Sequence, residues 1–120
     1  MLEVARRKAT DAGGSIEFRQ GDAASPPFDP SSFDVVLVRH VTWALSDPER
    51  AVRRWTSLLR DRGVLVLIEG YWSTGAGIGA GALTKIVHRI IPNIESRALS
   101  DPMLWGAPLT DERYMLIARR

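Results

Sequence analysis

The stretch that most constrains this chain is "FDVVLVRHVTWALSDPERAVRRWTSLLRDRGVLVLIEG", residues 33–70. Val35-Val36-Leu37-Val38 and Val64 to Ile68 are apolar without alternation, the pattern of strands covered on both faces inside a parallel sheet. Between them, Ala51, Val52, Trp55, Leu58 and Leu59 recur at helical spacing. Ser46 and Glu49 fit a capping box, Pro48 falls in the first turn, where a missing N–H costs little, and Gly63 suits the position just past the helix end. Strand, helix, strand in this form is a βαβ unit, expected to cross over right-handed.

The flanking segments extend the pattern. "MLEVARRKATDAGG" reads as an amphipathic helix from the first residue, with Leu2, Ala5, Ala9 and Ala12 on one face and Gly13-Gly14 as its stop. "SIEFRQ" sets Ile16 and Phe18 against Glu17 and Arg19, which predicts a short strand with one buried face. Pro26, Pro27 and Pro30 mark a loop. Beyond residue 70 the reading is a Gly-rich loop "YWSTGAGIGAGA", a helix "LTKIVHRII" ended by Pro92, a strand "NIESRALS", a loop, and a closing strand "RYMLIARR". With neither an internal repeat nor a domain boundary in view, this is a single α/β layer structure with helices flanking a sheet.

Charge and composition exclude several classes. The net charge is +2, and the arginines are spread along the chain, whereas a nucleic-acid binder gathers them into a stripe with interleaved aromatics. Without cysteine there is no disulfide framework, which suits a reducing cytoplasm. The apolar runs are far shorter than the ~18 residues that span a bilayer, and the charged first helix lacks a signal peptide's apolar core. The expectation is a cytoplasmic protein that engages neither membrane nor nucleic acid.

The chemistry narrows similarly. No G-x-S-x-G elbow is present, His40 and His88 are the only imidazoles, and no His/Asp/Glu group has metal-ligand spacing; no metal is expected. Gly75, Gly77 and Ala80 match the G-x-G-x-x-G/A spacing, with Glu95 downstream. Against a dinucleotide site, Tyr71 to Thr74 separate the first Gly from its strand, and Glu95 follows Pro92. A flexible connection is the favoured reading, and a dinucleotide-binding oxidoreductase stands as an alternative.

The ordered set Gly21-Asp22-Ala23, Pro26-Pro27-Phe28, Phe33-Asp34, Arg39-His40, Trp43, Asp47-Pro48, Gly63 and the terminal "TDERYMLIARR" resembles the later part of a class I S-adenosylmethionine-dependent methyltransferase acting on small molecules. The resemblance covers essentially the whole chain. It implies a Rossmann-like, mostly parallel sheet with an antiparallel final strand, and methyl transfer from S-adenosylmethionine to a small-molecule acceptor. It also implies an adenine site at Gly21, Asp22 and Ala23, with Asp22 accepting from the adenine amino group and the Ala23 N–H meeting a ring nitrogen. Taken alone, Asp22 reads as a turn residue bonding its own backbone. Arg39 and His40 are implied to line the path of the methyl group, with His40 a candidate general base because imidazole titrates near neutrality; a packed polar residue is its other reading. Trp43 and Trp72 are candidate walls for an apolar substrate, or core.

The resemblance further implies what precedes the first helix in such proteins: a strand, a Gly-rich turn that cradles the methionine part, and a strand ending in the acid that holds the ribose. None of these is in this sequence, so the expectation is an N-terminally truncated domain that binds the cofactor poorly by itself. Without the two strands, "SIEFRQ" must pair directly with "FDVVLVRH", or the latter is left as a long apolar edge able to recruit a second copy or a partner chain. A non-catalytic α/β module completing its sheet with a partner is the second alternative.

Overall fold

The structure, a computed structural model, describes residues 2–107 and 110–120. Helix α1 (Leu2–Asp11) is followed by strand β1 (Phe33–Arg39), helix α2 (Pro48–Leu58), strand β2 (Leu59–Tyr71), helix α3 (Ala80–His88), and strands β3 (Ile94–Ala98) and β4 (Glu112–Arg119). The sheet order is β1-β2-β4-β3. β1 and β2 are parallel, and β4 is antiparallel to both of its neighbours, so β3 runs in the direction of β1 and β2. The Rossmann-like expectation of a mostly parallel sheet with a reversed final strand holds.

The core forms where the helices meet the sheet. Ala51, Val52 and Trp55 of α2, with Leu83 and Val87 of α3, pack against Leu65, Leu67, Tyr114, Leu116 and Ala118. Both helices join one cluster and so cover one sheet face. On the other side Val35 and Leu37 are 56% and 62% exposed. This corrects the expectation of strands buried on both faces: among the described residues, helices cover only one, and α1 has no buried residue.

Three local expectations are also corrected. Residues 15–20 form no strand; alternation marks a face to bury, but a strand also needs a neighbouring ladder. The first α2 cap is Asp47 rather than Ser46: its Oδ1 accepts from the Arg50 N–H at 3.0 Å. Gly63 does not end the helix, because the chain passes from Leu58 directly into β2. There the pairing of β1 with β2 jumps from Phe33↔Leu59 to Val35↔Val64, and Arg62 takes φ 66°. A Cβ on Gly63 would lie 2.8 Å from the Arg60 carbonyl oxygen, so glycine is required by this bulge.

The Gly-rich loop is a hydrogen-bonded turn. Trp72 N–H donates to Ala76 O at 2.8 Å, Ile78 N–H to Gly70 O at 2.9 Å, and Tyr71 bridges Gly77. Gly77 has φ +106°, and a Cβ there would run into the Gly70 carbonyl. The spacing that suggested a phosphate cradle therefore serves a tight backbone crossing. Glu95, the proposed ribose acid of that alternative, pairs with Arg97 at 2.7 Å and Arg119 at 3.8 Å.

Candidate active site

In an open α/β sheet, ligands bind beyond the carboxyl ends of the parallel strands. That edge is built here from the end of β1, the end of β2, and the start of the antiparallel β4. Arg39 and His40 lie on it from β1, Trp72 just past β2, and Arg113 from β4.

His40 takes φ +54°, a left-handed turn that is rare for non-glycine residues. Its N–H still donates to Ile68 O at 2.9 Å, which extends the β1–β2 pairing by one residue before the chain turns away. The imidazole meets the Trp72 indole edge-on, with centroids 5.3 Å apart. Nε2 is buried with no partner among the described residues. Burial, followed by the positive charge of Arg39 and of Arg113, holds the ring's pKa below its ordinary 6.5; Glu69 pulls the other way. The neutral imidazole is therefore favoured at neutral pH.

Glu69 is the residue that the sequence reading missed. It is 0% exposed, and its Oε1 accepts from the backbone N–H groups of Val41 at 3.1 Å and Thr42 at 2.8 Å. A buried carboxylate thus receives the chain as it leaves His40 and holds the first turn of a short 3-10 helix, Thr42–Ala44. Its Oε2 and the Thr42 hydroxyl are buried without partners among the described residues. The signal was present in the sequence: a lone acid at the strand position in register with buried Leu65 and Leu67 must be held by something, because an unpaired buried charge is costly.

The Gly21-Asp22-Ala23 segment faces the start of α2. Asp22 lines a cavity of about 360 Å³ with Leu45, Ser46, Asp47 and Arg50, the loop that β1 feeds. Its Oδ1 accepts the Ala24 N–H at 2.9 Å, the turn role expected of it alone, and Oδ2 carries no bond to the described residues. Ala23 O accepts from Trp55 Nε1 at 2.7 Å, and Arg54 donates to Pro26 O at 2.9 Å and Phe28 O at 2.7 Å. Two buried-face residues of α2 therefore hold this loop in place. A smaller cavity, about 250 Å³, runs from Ala23 and Pro26 to Val36, Val38 and Arg39; it joins the two halves of the expected site. Trp43 is 45% exposed, whereas Trp72 packs over Gly70, where a Cβ would meet its ring at 2.6 Å.

Comparison with known proteins identifies the family and the fold. The sequence model of the methyltransferase domain matches residues 1–67. The chain belongs to this family, the class I S-adenosylmethionine-dependent methyltransferases. The uncharacterized methyltransferase YcgJ of Bacillus subtilis (strain 168) is 36% identical over 72 residues, 59% of this chain and 28% of that protein; the match thus spans under a third of its length. Among solved structures, the [4+2]-cyclase SpnF superposes with a TM-score of 0.77 at 20% identity, covering 98% of this chain and 61% of that one. The trans-methyltransferase CalH, solved with S-adenosylhomocysteine, gives 0.75 at 17% identity, covering 98% and 39%. These two likenesses concern the fold. Among the described residues, no group of acids and histidines is placed to hold a metal, and no helix is long and apolar enough to cross a membrane.

Proposed function

We propose that the crevice at the C-terminal edge of the sheet receives S-adenosylmethionine and a small-molecule methyl acceptor. The observation that carries this reading is the continuity of the site: Asp22 and Ala23 border the cavities that reach the β1 end at Arg39 and the loop beyond it. The free groups fit an adenosine. Asp22 Oδ2 is available to accept from an exocyclic amino group, and the Ala23 N–H has no acceptor among the described residues and is available to a ring nitrogen. Gly21 lets the chain pass Pro27, whose Cδ a Cβ there would approach to 3.3 Å.

When bound, the cofactor supplies an electrophilic methyl group on a sulfonium. The chain's own contribution is placement and proton removal, of which placement is the larger. Arg39 and His40 border the methyl path. The His40 imidazole would take the proton that the acceptor's O–H or N–H gives up when its oxygen or nitrogen is methylated. Burial against Trp72 keeps the imidazole unprotonated for that task, and the Glu69 carboxylate keeps the His40–Thr42 turn in register.

Isothermal titration of the chain with S-adenosylmethionine tests the assignment. The expected result is weak, saturable binding that Asp22→Ala lowers about tenfold, the effect of losing a charge-assisted hydrogen bond. Unchanged affinity in Asp22→Ala would overturn the adenine site.

One observation favours a second reading, a module that completes its sheet with another chain. The outer edge of β1 is unpaired among the described residues and bears exposed Val35 and Leu37.

A further inference from the structure

Two arginines at the site edge have no countercharge. Arg19, Arg53, Arg60, Arg89, Arg97 and Arg119 each pair with a carboxylate. Arg39 and Arg113, from strands that are not neighbours, have no such partner among the described residues. Instead both approach one aromatic ring: the Arg113 guanidinium lies 4.3 Å from the Trp105 ring centroid and that of Arg39 lies 6.0 Å from it. The Arg113 guanidinium also lies 5.8 Å from the Trp72 ring centroid. The Trp105 ring is itself anchored, its Nε1–H donating to Leu99 O at 2.8 Å.

Stacking on indoles fixes a guanidinium plane while leaving its terminal N–H groups free for a planar, two-pronged anion. Arg113 Nε is buried with no acceptor among the described residues. The nearby acid, Glu69, spends Oε1 on two backbone N–H groups. Arg39 and Arg113 both act on the His40 imidazole to disfavour its cation, and Glu69 opposes them.

We propose that Arg39 and Arg113, seated on Trp105, form a subsite for an anionic group, carboxylate or phosphate, on the methyl acceptor. The inference rests on the reading that this edge receives the acceptor, and it names the acceptor's chemical class. Recognition of an anion here would fix the acceptor's far end, so that its reacting O–H or N–H reaches His40.

The full chain, labelled with nitrogen-15, is titrated separately with benzoate, phenyl phosphate and neutral benzamide at constant ionic strength, reading the Arg113 Nε–H and Trp105 Nε1–H resonances. The expected result is a saturable shift with an anion but not with benzamide. Arg39→Gln and Arg113→Gln should each weaken it about tenfold, Arg113→Lys should retain only part of it, and Arg60→Gln should leave it unchanged. The stronger of the two anions identifies the group. Equal response to benzamide, no saturable response to either anion, or undiminished affinity in Arg39→Gln would overturn the proposal; Arg39 is exposed, so this variant carries the test even if Arg113→Gln does not fold. Cofactor binding is measured independently: its loss with anion binding intact counts against the adenine site, and the converse counts against this subsite.

Discussion

Glu69 Oε1 lies 2.8 Å from the backbone nitrogen of Thr42, joining the end of one parallel strand to the loop that leaves the other. The same oxygen also accepts from Val41, so one buried carboxylate satisfies two successive N–H groups that the His40 turn would otherwise orphan. Glu69→Ala should destabilise the chain by about 3 kcal/mol, because two buried donors lose their acceptor. Glu69→Gln, whose amide oxygen can still accept, should lose only about 1 kcal/mol. Urea unfolding of the two variants gives the comparison; equal losses would mean that an amide oxygen cannot replace the carboxylate as acceptor.

His40 should titrate below 6.5, its ordinary value, because burial and the two arginines disfavour the cation. Between the folded pKa and 6.5 the unfolded chain binds more protons, so stability rises with pH across that window. The contribution is fully present above the unfolded value and is lost as pH falls through the folded one. Arg39→Gln should move the ring's midpoint upward and Glu69→Gln downward, read from the imidazole carbon-bound protons by NMR.

Trp55 anchors the Gly21-Asp22-Ala23 loop through its bond to Ala23 O at 2.7 Å. Trp55→Phe keeps most of the buried ring and removes that donor, at about 1 kcal/mol. Hydrogen exchange should quicken at residues 21–25 more than in β2, and cofactor affinity should fall. Uniform acceleration over the whole chain would point to general destabilisation instead.

The open edge of β1 should associate. A strand with unpaired backbone groups and exposed Val35 and Leu37 is a template for another strand. Light scattering should show mass rising with concentration, and Leu37→Lys should weaken that association about tenfold, since a charge on an edge opposes strand addition. A constant monomer mass in the parent chain would remove the basis for the partner-completed reading.

The sequence was most legible where local chemistry and tertiary need coincide. β1, α2 and β2 follow from two apolar runs around an amphipathic helix, and Pro48 sits at the helix start where expected. It misled where pattern stood without a neighbour. Ile16 and Phe18 alternate properly, yet residues 15–20 have no ladder to join, and Ile16 is left exposed. The valines of β1 announced cover on both faces, and only the face toward α2 and α3 has it. Gly75 and Gly77 matched a phosphate-binding spacing but serve a backbone crossing.

The sequence by itself determined which segments are strands and helices around the βαβ unit, and the residues that carry the family resemblance, because hydrophobic period and capping act over a few neighbouring positions. Only the tertiary structure decided that Glu69 grips the turn after His40 and that Arg39 and Arg113 both approach Trp105. Those contacts join residues far apart in the chain, and no local spacing records them; they exist because the register of β1 on β2, and of β2 on β4, brings three strand ends to one edge.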